Sequence, residues 1–365
     1  MRLSLISAMF SSSNSQVLTT KVGSALNIKL NRPSQLNALN LSMIAELNQI
    51  LDQTNQTSCI ILSGEGGKAF CAGGDIKTLY FAKTQPSEQN PPSALKQFFF
   101  DEYKLDYRLA TLKPVLVALM DGIVMGGGVG MSIHAPVRIA TEKSVFAMPE
   151  AKLGLFTDVG GGYFLSRLPH RLGYYLGLSG FRLKGADLVH AGLADFYVQS
   201  SELQNLISKI GTIQSQNLNE VKNIVKQFQP NQIPEFTIKQ QLQNIEPGYS
   251  GESLEQIFNN LQNHQNQKFG QDNLKILKDQ CPLSLRIIFE QIKRGQKLDL
   301  RENLKMDYRI VRRIMQGTDF FEGVKQVLVD KNHVPNWSFK DALTIPQSEV
   351  DKYFKVLENE EELDI

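Results

Sequence analysis

The sequence predicts an α/β fold: a core of strands alternating with helices, followed by a long all-helical C-terminal region. Three observations lead there. Short apolar runs bounded by turn residues occur at Ala25 to Leu30, Cys59 to Ser63 and Val115 to Met120, the pattern of buried strands. Between them apolar residues return at helical spacing. From about Val198 the composition shifts to Gln, Asn, Lys and Leu while keeping a helical period.

Taken in chain order, the opening MRLSLISAMFSSSNSQ has one Arg and many Ser, and the first acidic residue of the chain is Glu46. That acid-poor, Ser-rich stretch resembles a mitochondrial presequence, expected within residues 1–21 and removed up to about Gln16. The first strand is Ala25 to Leu30. Asn40 is a good N-cap for a helix whose apolar positions are Leu41, Ile44, Leu47 and Leu51. After the second strand comes the Gly-rich Phe70-Cys-Ala-Gly-Gly-Asp-Ile76. Pro86, Pro91 and Pro92 predict a loop over 81–93, and Phe98 to Leu109 an amphipathic helix. The third strand leads into Gly126-Gly-Gly-Val-Gly130, which opens a helical run from Val129 to His134. In the tail, Ser253 to Phe258, Leu283 to Ile292 and Leu304 to Met315 carry helical periodicity, so the Gln and Asn there belong to solvated helix faces. The expected segments are a core over 22–198, a helical region over 199–345 and an acidic tail over 346–365.

Composition narrows the function. Over 365 residues, 42% are hydrophobic and 21% charged, which excludes a disordered or coiled-coil chain. Lys+Arg 39 against Asp+Glu 37 offers no whole-chain argument for nucleic-acid binding. Cys59, Cys71 and Cys281 are odd in number with no CxxC pair, so no disulfide framework is expected. His134, His170, His190, His264 and His333 fall at no metal-ligand spacing, and no metal is expected. No apolar run approaches the ~20 residues of a membrane span, and no membrane partner is expected. Cys71 reads as a small core thiol.

Glycine-rich turns between a strand and a helix let a ligand approach backbone amides that can face developing negative charge. Neither segment fits G-x-G-x-x-G or a P-loop, so no nucleotide cofactor is indicated. The chain has no G-x-S-x-G elbow, which argues against an α/β-hydrolase route to acyl transfer. On residue type alone, Glu150 reads as a helix-capping or surface carboxylate. Asp158 reads as a turn former before Gly160-Gly161-Gly162.

Four blocks in order, Asn31-Arg-Pro-Ser-Gln-Leu-Asn-Ala-Leu39, Phe70 to Ile76, Gly126 to Gly130 and Phe146-Ala-Met-Pro-Glu-Ala-Lys-Leu-Gly154, resemble the signature of the crotonase (enoyl-CoA hydratase/isomerase) superfamily. Further stretches resemble its 3-hydroxyisobutyryl-CoA hydrolases: Phe98 to Tyr103, Leu155 to Tyr163, Gly180 to Gly185, Asp319 to Val324 and Val329 to Lys331. The resemblance implies a crotonase-like spiral of ββα turns with a helical C-terminal part that mediates self-association. It implies an oxyanion hole from the amides of Gly74 and Gly127 and a coenzyme A-binding backbone at Asn37, Ala38, Ala72, Gly73 and Asp75. Coenzyme A is then part of an acyl-CoA substrate, and no separate cofactor is implied.

One departure is informative. Hydratases of the superfamily place a catalytic Glu at the position of Gly130 and a second at Glu150. Glycine cannot handle a proton, so two-Glu hydration is not expected here. The resemblance instead implies catalysis by Glu150 with Asp158, and contact of Glu102, Gly127, Glu150 and Asp158 with substrate. One carboxylate would activate water or attack the acyl carbon. Its neighbour, kept protonated by like charge, would bond the substrate hydroxyl or the leaving thiolate. General-base and anhydride routes both fit. The expected activity is hydrolysis of 3-hydroxyisobutyryl-CoA in valine breakdown in the mitochondrial matrix. Two alternatives stand beside it: another crotonase-type acyl-CoA isomerase or decarboxylase, or a structural subunit of the mitochondrial small ribosomal subunit, the one reading with a nucleic-acid partner.

Overall fold

The computed structural model describes residues 15–358 and 361–365. The first fourteen residues of the expected presequence therefore lie outside the described residues. The chain forms two compact units that interleave along the sequence. Among the described residues, one takes those up to Gly74, Arg108–Phe146 and Lys184–Glu235; the other takes Asp75–Tyr107, Ala147–Leu183 and those from Phe236 onward. Sequence reading draws contiguous segments instead, because periodicity reports local structure and not which distant segments pack together.

The strands are β1 (Val17–Val22), β2 (Ala25–Leu30), β3 (Cys59–Gly64), β4 (Ala69–Cys71), β5 (Val115–Met120), β6 (Ile123–Met125), β7 (Val137–Ala140), β8 (Val145–Ala147), β9 (Leu183–Lys184) and β10 (Phe196–Tyr197). They form a six-stranded sheet in the order β1-β2-β3-β5-β7-β10 and a four-stranded sheet in the order β4-β6-β8-β9. β1 and β2 make an antiparallel hairpin, whereas β2, β3, β5, β7 and β10 pair in parallel. Parallel strands covered on both faces read as unbroken apolar runs, which is why β3 and β5 were legible; β2, interrupted by Asn27 and Lys29, showed through its apolar residues Ala25, Leu26, Ile28 and Leu30. β1 is an edge strand with exposed Thr20 and Lys21, so it offers no such run; it overlaps the end of the span expected to be a presequence.

In the first unit Ile61, Val117, Leu119, Val137 and Ile139 pack with Leu206, Ile210, Val221 and Val225. The last four come from the helices Leu203–Ile210 and Leu218–Phe228, which thus cover the sheet although the sequence groups them with the helical tail. The helix α1 (Leu41–Leu51) starts as expected, with the Asn40 side chain accepting from the Met43 amide at 2.9 Å. α2 (Ile76–Thr84) takes the first residues of the expected 81–93 loop, and α3 (Ser93–Ala110) follows. α4 (Gly127–Ile133) begins two residues earlier than its periodicity suggested.

In the second unit α5 (Gly161–Leu165) and α6 (Leu172–Ser179) pack with the helix Pro282–Gly295. The helices Leu254–Gln262, Gln267–Lys278 and Leu300–Ile314 are capped by Ser253, Asn266 and Asp299, each accepting a first-turn amide. Among the described residues after Val198, every regular element is helical, and the expected acidic tail opens with a helix, Gln347–Phe354. Among the described residues no helix is long and apolar enough to cross a membrane.

Candidate active site

In the first unit, the segment before α1 is laid against the end of β4. The Ala72 amide donates to the Leu36 carbonyl at 3.1 Å and the Leu39 amide to Gly73 at 2.8 Å, with Leu39 and Gly74 in a parallel bridge. Asn37, left-handed at φ 56°, is fully buried. Its Nδ2 donates to the Glu65 and Ala69 carbonyls at 3.0 and 2.8 Å, and its Oδ1 accepts from the Arg32 amide at 2.9 Å. All its strong bonds are thus spent inside the protein. Ala38 is half-buried, and its carbonyl accepts from the Arg32 guanidinium at 2.5 Å. Asn37 and Ala38 therefore shape this segment through internal bonds.

The two glycine-rich turns meet. A side chain on Gly73, at φ 111°, would come within 3.8 Å of the Gly127 amide nitrogen. Gly127 opens α4, whose first amides have no acceptor inside the helix; those of Val129 and Gly130 already donate to the Gly126 carbonyl at 2.7 and 3.2 Å. Gly74, Gly127, Ala72 and Gly73 are thus brought together by β4, β6 and α4. Asp75 belongs to the second unit and caps α2, accepting from the Thr78 amide at 3.3 Å.

The second unit gathers the acids. Glu102 lies on the buried face of α3, Glu150 follows Pro149 at the head of the short 3-10 turn Glu150–Leu153, and Asp158 sits three residues before α5. All are buried, at 2%, 3% and 4% exposure. They share this interior with Asp106 and Asp307, both at 0%, which residue-by-residue reading missed. Asp106 could have been found, since it stands one helical turn after Glu102. Asp307 carries no local signal.

Tyr103 donates its hydroxyl to Asp158 at 2.8 Å, the Gly160 amide donates to Asp307 at 2.8 Å, and Gln291 donates to Asp307 at 2.7 Å. Glu102 Oε1, Glu150 Oε2 and both oxygens of Asp106 have no partner within the protein. Burial pushes the carboxyls of Glu102 and Glu150 well above the usual range, and the Asp158 charge adds to it. Asp106 is raised by burial, then by Asp158 and Asp307. Asp158 is pushed up by burial to about 7, the Tyr103 hydroxyl pulling it back. For Glu102, Asp106 and Glu150 desolvation is thus the first cause and like charge the second, where sequence reading named only like charge. Among the described residues no group of three or more His, Cys, Asp or Glu side chains is arranged to hold a metal ion.

Carboxyls raised in this way hold protons toward neutrality, as acid–base work requires. Cys71 is buried with its thiol turned toward the Gly73 carbonyl.

A family model described as enoyl-CoA hydratase/isomerase matches residues 25–354. A mitochondrial 3-hydroxyisobutyryl-CoA hydrolase of Rattus norvegicus is 40% identical over 349 residues, covering 94% of this chain and 89% of that protein. A carnitinyl-CoA dehydratase from Mycobacterium thermoresistibile has a similar structure, with a TM-score of 0.86 and 28% identity over 96% of this chain and 99% of that one. An enoyl-CoA hydratase from Rhodobacter sphaeroides gives 0.82 and 32%, covering 93% and 97%. With a family model spanning most of its length and relatives at this identity, the chain belongs to the enoyl-CoA hydratase/isomerase (crotonase) family.

Proposed function

We propose that this chain is an acyl-CoA thioester hydrolase that converts 3-hydroxyisobutyryl-CoA and water to 3-hydroxyisobutyrate and coenzyme A. The similarity to 3-hydroxyisobutyryl-CoA hydrolases over nearly the whole chain supports the substrate. The observation that carries the chemistry is the buried pair Glu150 and Asp158, in a chain whose residue 130 is glycine. In this reading Glu150, as its anion, takes a proton from water as the oxygen attacks the acyl carbon. The amides of Gly74 and Gly127 accept the negative charge that builds on the carbonyl oxygen, at about 2.7–4 kcal/mol for each donor. The C–S bond then breaks, and the thiolate is protonated from the carboxyl cluster. A direct attack by Glu150, through an anhydride that water then opens, uses the same groups. Glu102 accepts the bond of the 3-hydroxyl.

The backbone of Ala72, Gly73 and Asp75, with Asn37 and Ala38 shaping the neighbouring segment, would receive coenzyme A. No separate cofactor is needed. The mitochondrial names of the relatives support work in mitochondria; in this reading the compartment is the matrix, the pathway valine breakdown, and the helical region mediates self-association. Release of free thiol from a panel of acyl-CoA esters tests the reading. The 3-hydroxyisobutyryl ester should be preferred, EDTA should leave the rate unchanged, and crotonyl-CoA should not be hydrated. Rapid hydration of crotonyl-CoA without thiol release would refute it.

A further inference from the structure

Asp158 lies next to a strained residue. Val159 has φ 53°, a left-handed conformation that is a true outlier for a β-branched side chain and strains the backbone. Such strain persists only where the surroundings over-determine it, and here two side chains grip the chain on both sides. Thr157 Oγ1 donates to Gln291 Oε1 at 2.7 Å, and Gln291 Nε2 donates to the Thr157 carbonyl at 2.7 Å. Gln291 Nε2 also donates to Asp307 Oδ1 at 2.7 Å, and Asp307 Oδ2 accepts from the Gly160 amide at 2.8 Å.

Thr157, Gln291 and Asp307 are all fully buried. The amide of Gln291 can point only one way, because the reverse would set its oxygen against a carbonyl and a carboxylate. Gln291 and Asp307 stand on separate helices, Pro282–Gly295 and Leu300–Ile314. Their side-chain bonds go to each other and to residues 157 and 160. The glycines that follow permit the approach: a side chain on Gly162 would lie 2.6 Å from Asn303 Oδ1 and 3.0 Å from the Gln291 carbonyl. Helix packing alone would be served as well by apolar residues of the same volume, so the polar pair calls for a further purpose.

We propose that Gln291 and Asp307 are positioning residues that clamp Thr157 and Gly160 and so aim the Asp158 carboxyl at the reacting group. This rests on the catalytic reading of Asp158. Three bonds of 2.7–2.8 Å hold residues 157 and 160, and a fourth of 2.7 Å ties Gln291 to Asp307, leaving the segment between them little freedom. Loosening any one lets Val159 relax toward an ordinary backbone and turns the carboxyl away.

The test is steady-state hydrolysis of 3-hydroxyisobutyryl-CoA, with thermal unfolding measured alongside, for Gln291→Met, Asp307→Asn and Thr157→Val. Gln291→Met removes the clamp while nearly keeping volume. Asp307→Asn sets an amide N–H against one of two donors. Thr157→Val loses one bond and serves if the others fold poorly. The first two should lower kcat by about 10- to 100-fold, the scale of a 1 Å misplacement, with KM within about threefold; Thr157→Val should lose about threefold. Ile288→Ala, a buried change on the same helix as Gln291, should lower the melting temperature and leave kcat within about twofold. In an Asp158→Asn background, Gln291→Met should cost nothing more, because both disable one step. Wild-type kcat in Gln291→Met and Asp307→Asn beside an inactive Asp158→Asn would overturn the clamp alone, as would full additivity. Wild-type kcat in Asp158→Asn would instead refute the catalytic reading, and the clamp with it.

Discussion

Glu150 is buried with one oxygen unpartnered, so ionising it there carries a desolvation cost. Glu150→Gln keeps shape and hydrogen-bonding capacity but not the anion. Its kcat should fall by about 10²–10⁴, as for a lost general base, with a smaller change in KM; thiol-release kinetics checks this. The carboxyl of Glu150 is raised first by burial and then by the Asp158 charge. Asp158→Asn removes only the second cause, so Glu150 should titrate at lower pH than in the wild type. Infrared titration with labelled glutamate would detect that direction, and an unchanged midpoint would break the coupling. At this scale Glu150, Asp158 and Glu102 were legible through motif order. Tyr103 and Gln291 were not, because a hydrogen bond between distant segments leaves no mark on local pattern.

Elements here are spaced by glycines as much as by apolar side chains. A side chain on Gly173 in α6 would come within 1.9 Å of the Leu165 carbonyl, and main chain cannot swing aside as a side-chain tip can. Gly173→Ala should therefore destabilise by about 1–3 kcal/mol, the usual range for overpacking, or more. Chemical denaturation should show a lower midpoint with an unchanged slope. The strands β3 and β5 and the helix α1 were readable because continuous burial and a capped amphipathic face are local signals. The edge strand β1, largely polar, was not. α2 was lost to the prolines that follow it, which end the irregular stretch without saying where it begins.

For the molecule as a whole, the buried acids make stability depend on pH in an unusual direction. Asp158 rises from an ordinary 3.8 to about 7 in the fold. The folded form therefore binds the proton more tightly than the unfolded chain. Its contribution is fully present below about 3.8 and is lost as pH rises to about 7. Asp158→Asn should flatten the fall in melting temperature between pH 4 and pH 7, within the range where the native state persists; calorimetry at a series of pH values checks this, and an unchanged slope would contradict it. By itself the sequence determined the α/β class, the helical character of the C-terminal region and the family, because periodicity, capping and ordered motifs are properties of neighbouring residues. Tertiary structure decided the rest. It interleaved the segments into two units, sent Leu203–Ile210 and Leu218–Phe228 to the sheet, and joined Asp106 and Asp307 to the three expected carboxyls. The physical reason is that burial and like-charge proximity, which raise these acids, arise only when residues far apart in the sequence exclude water together.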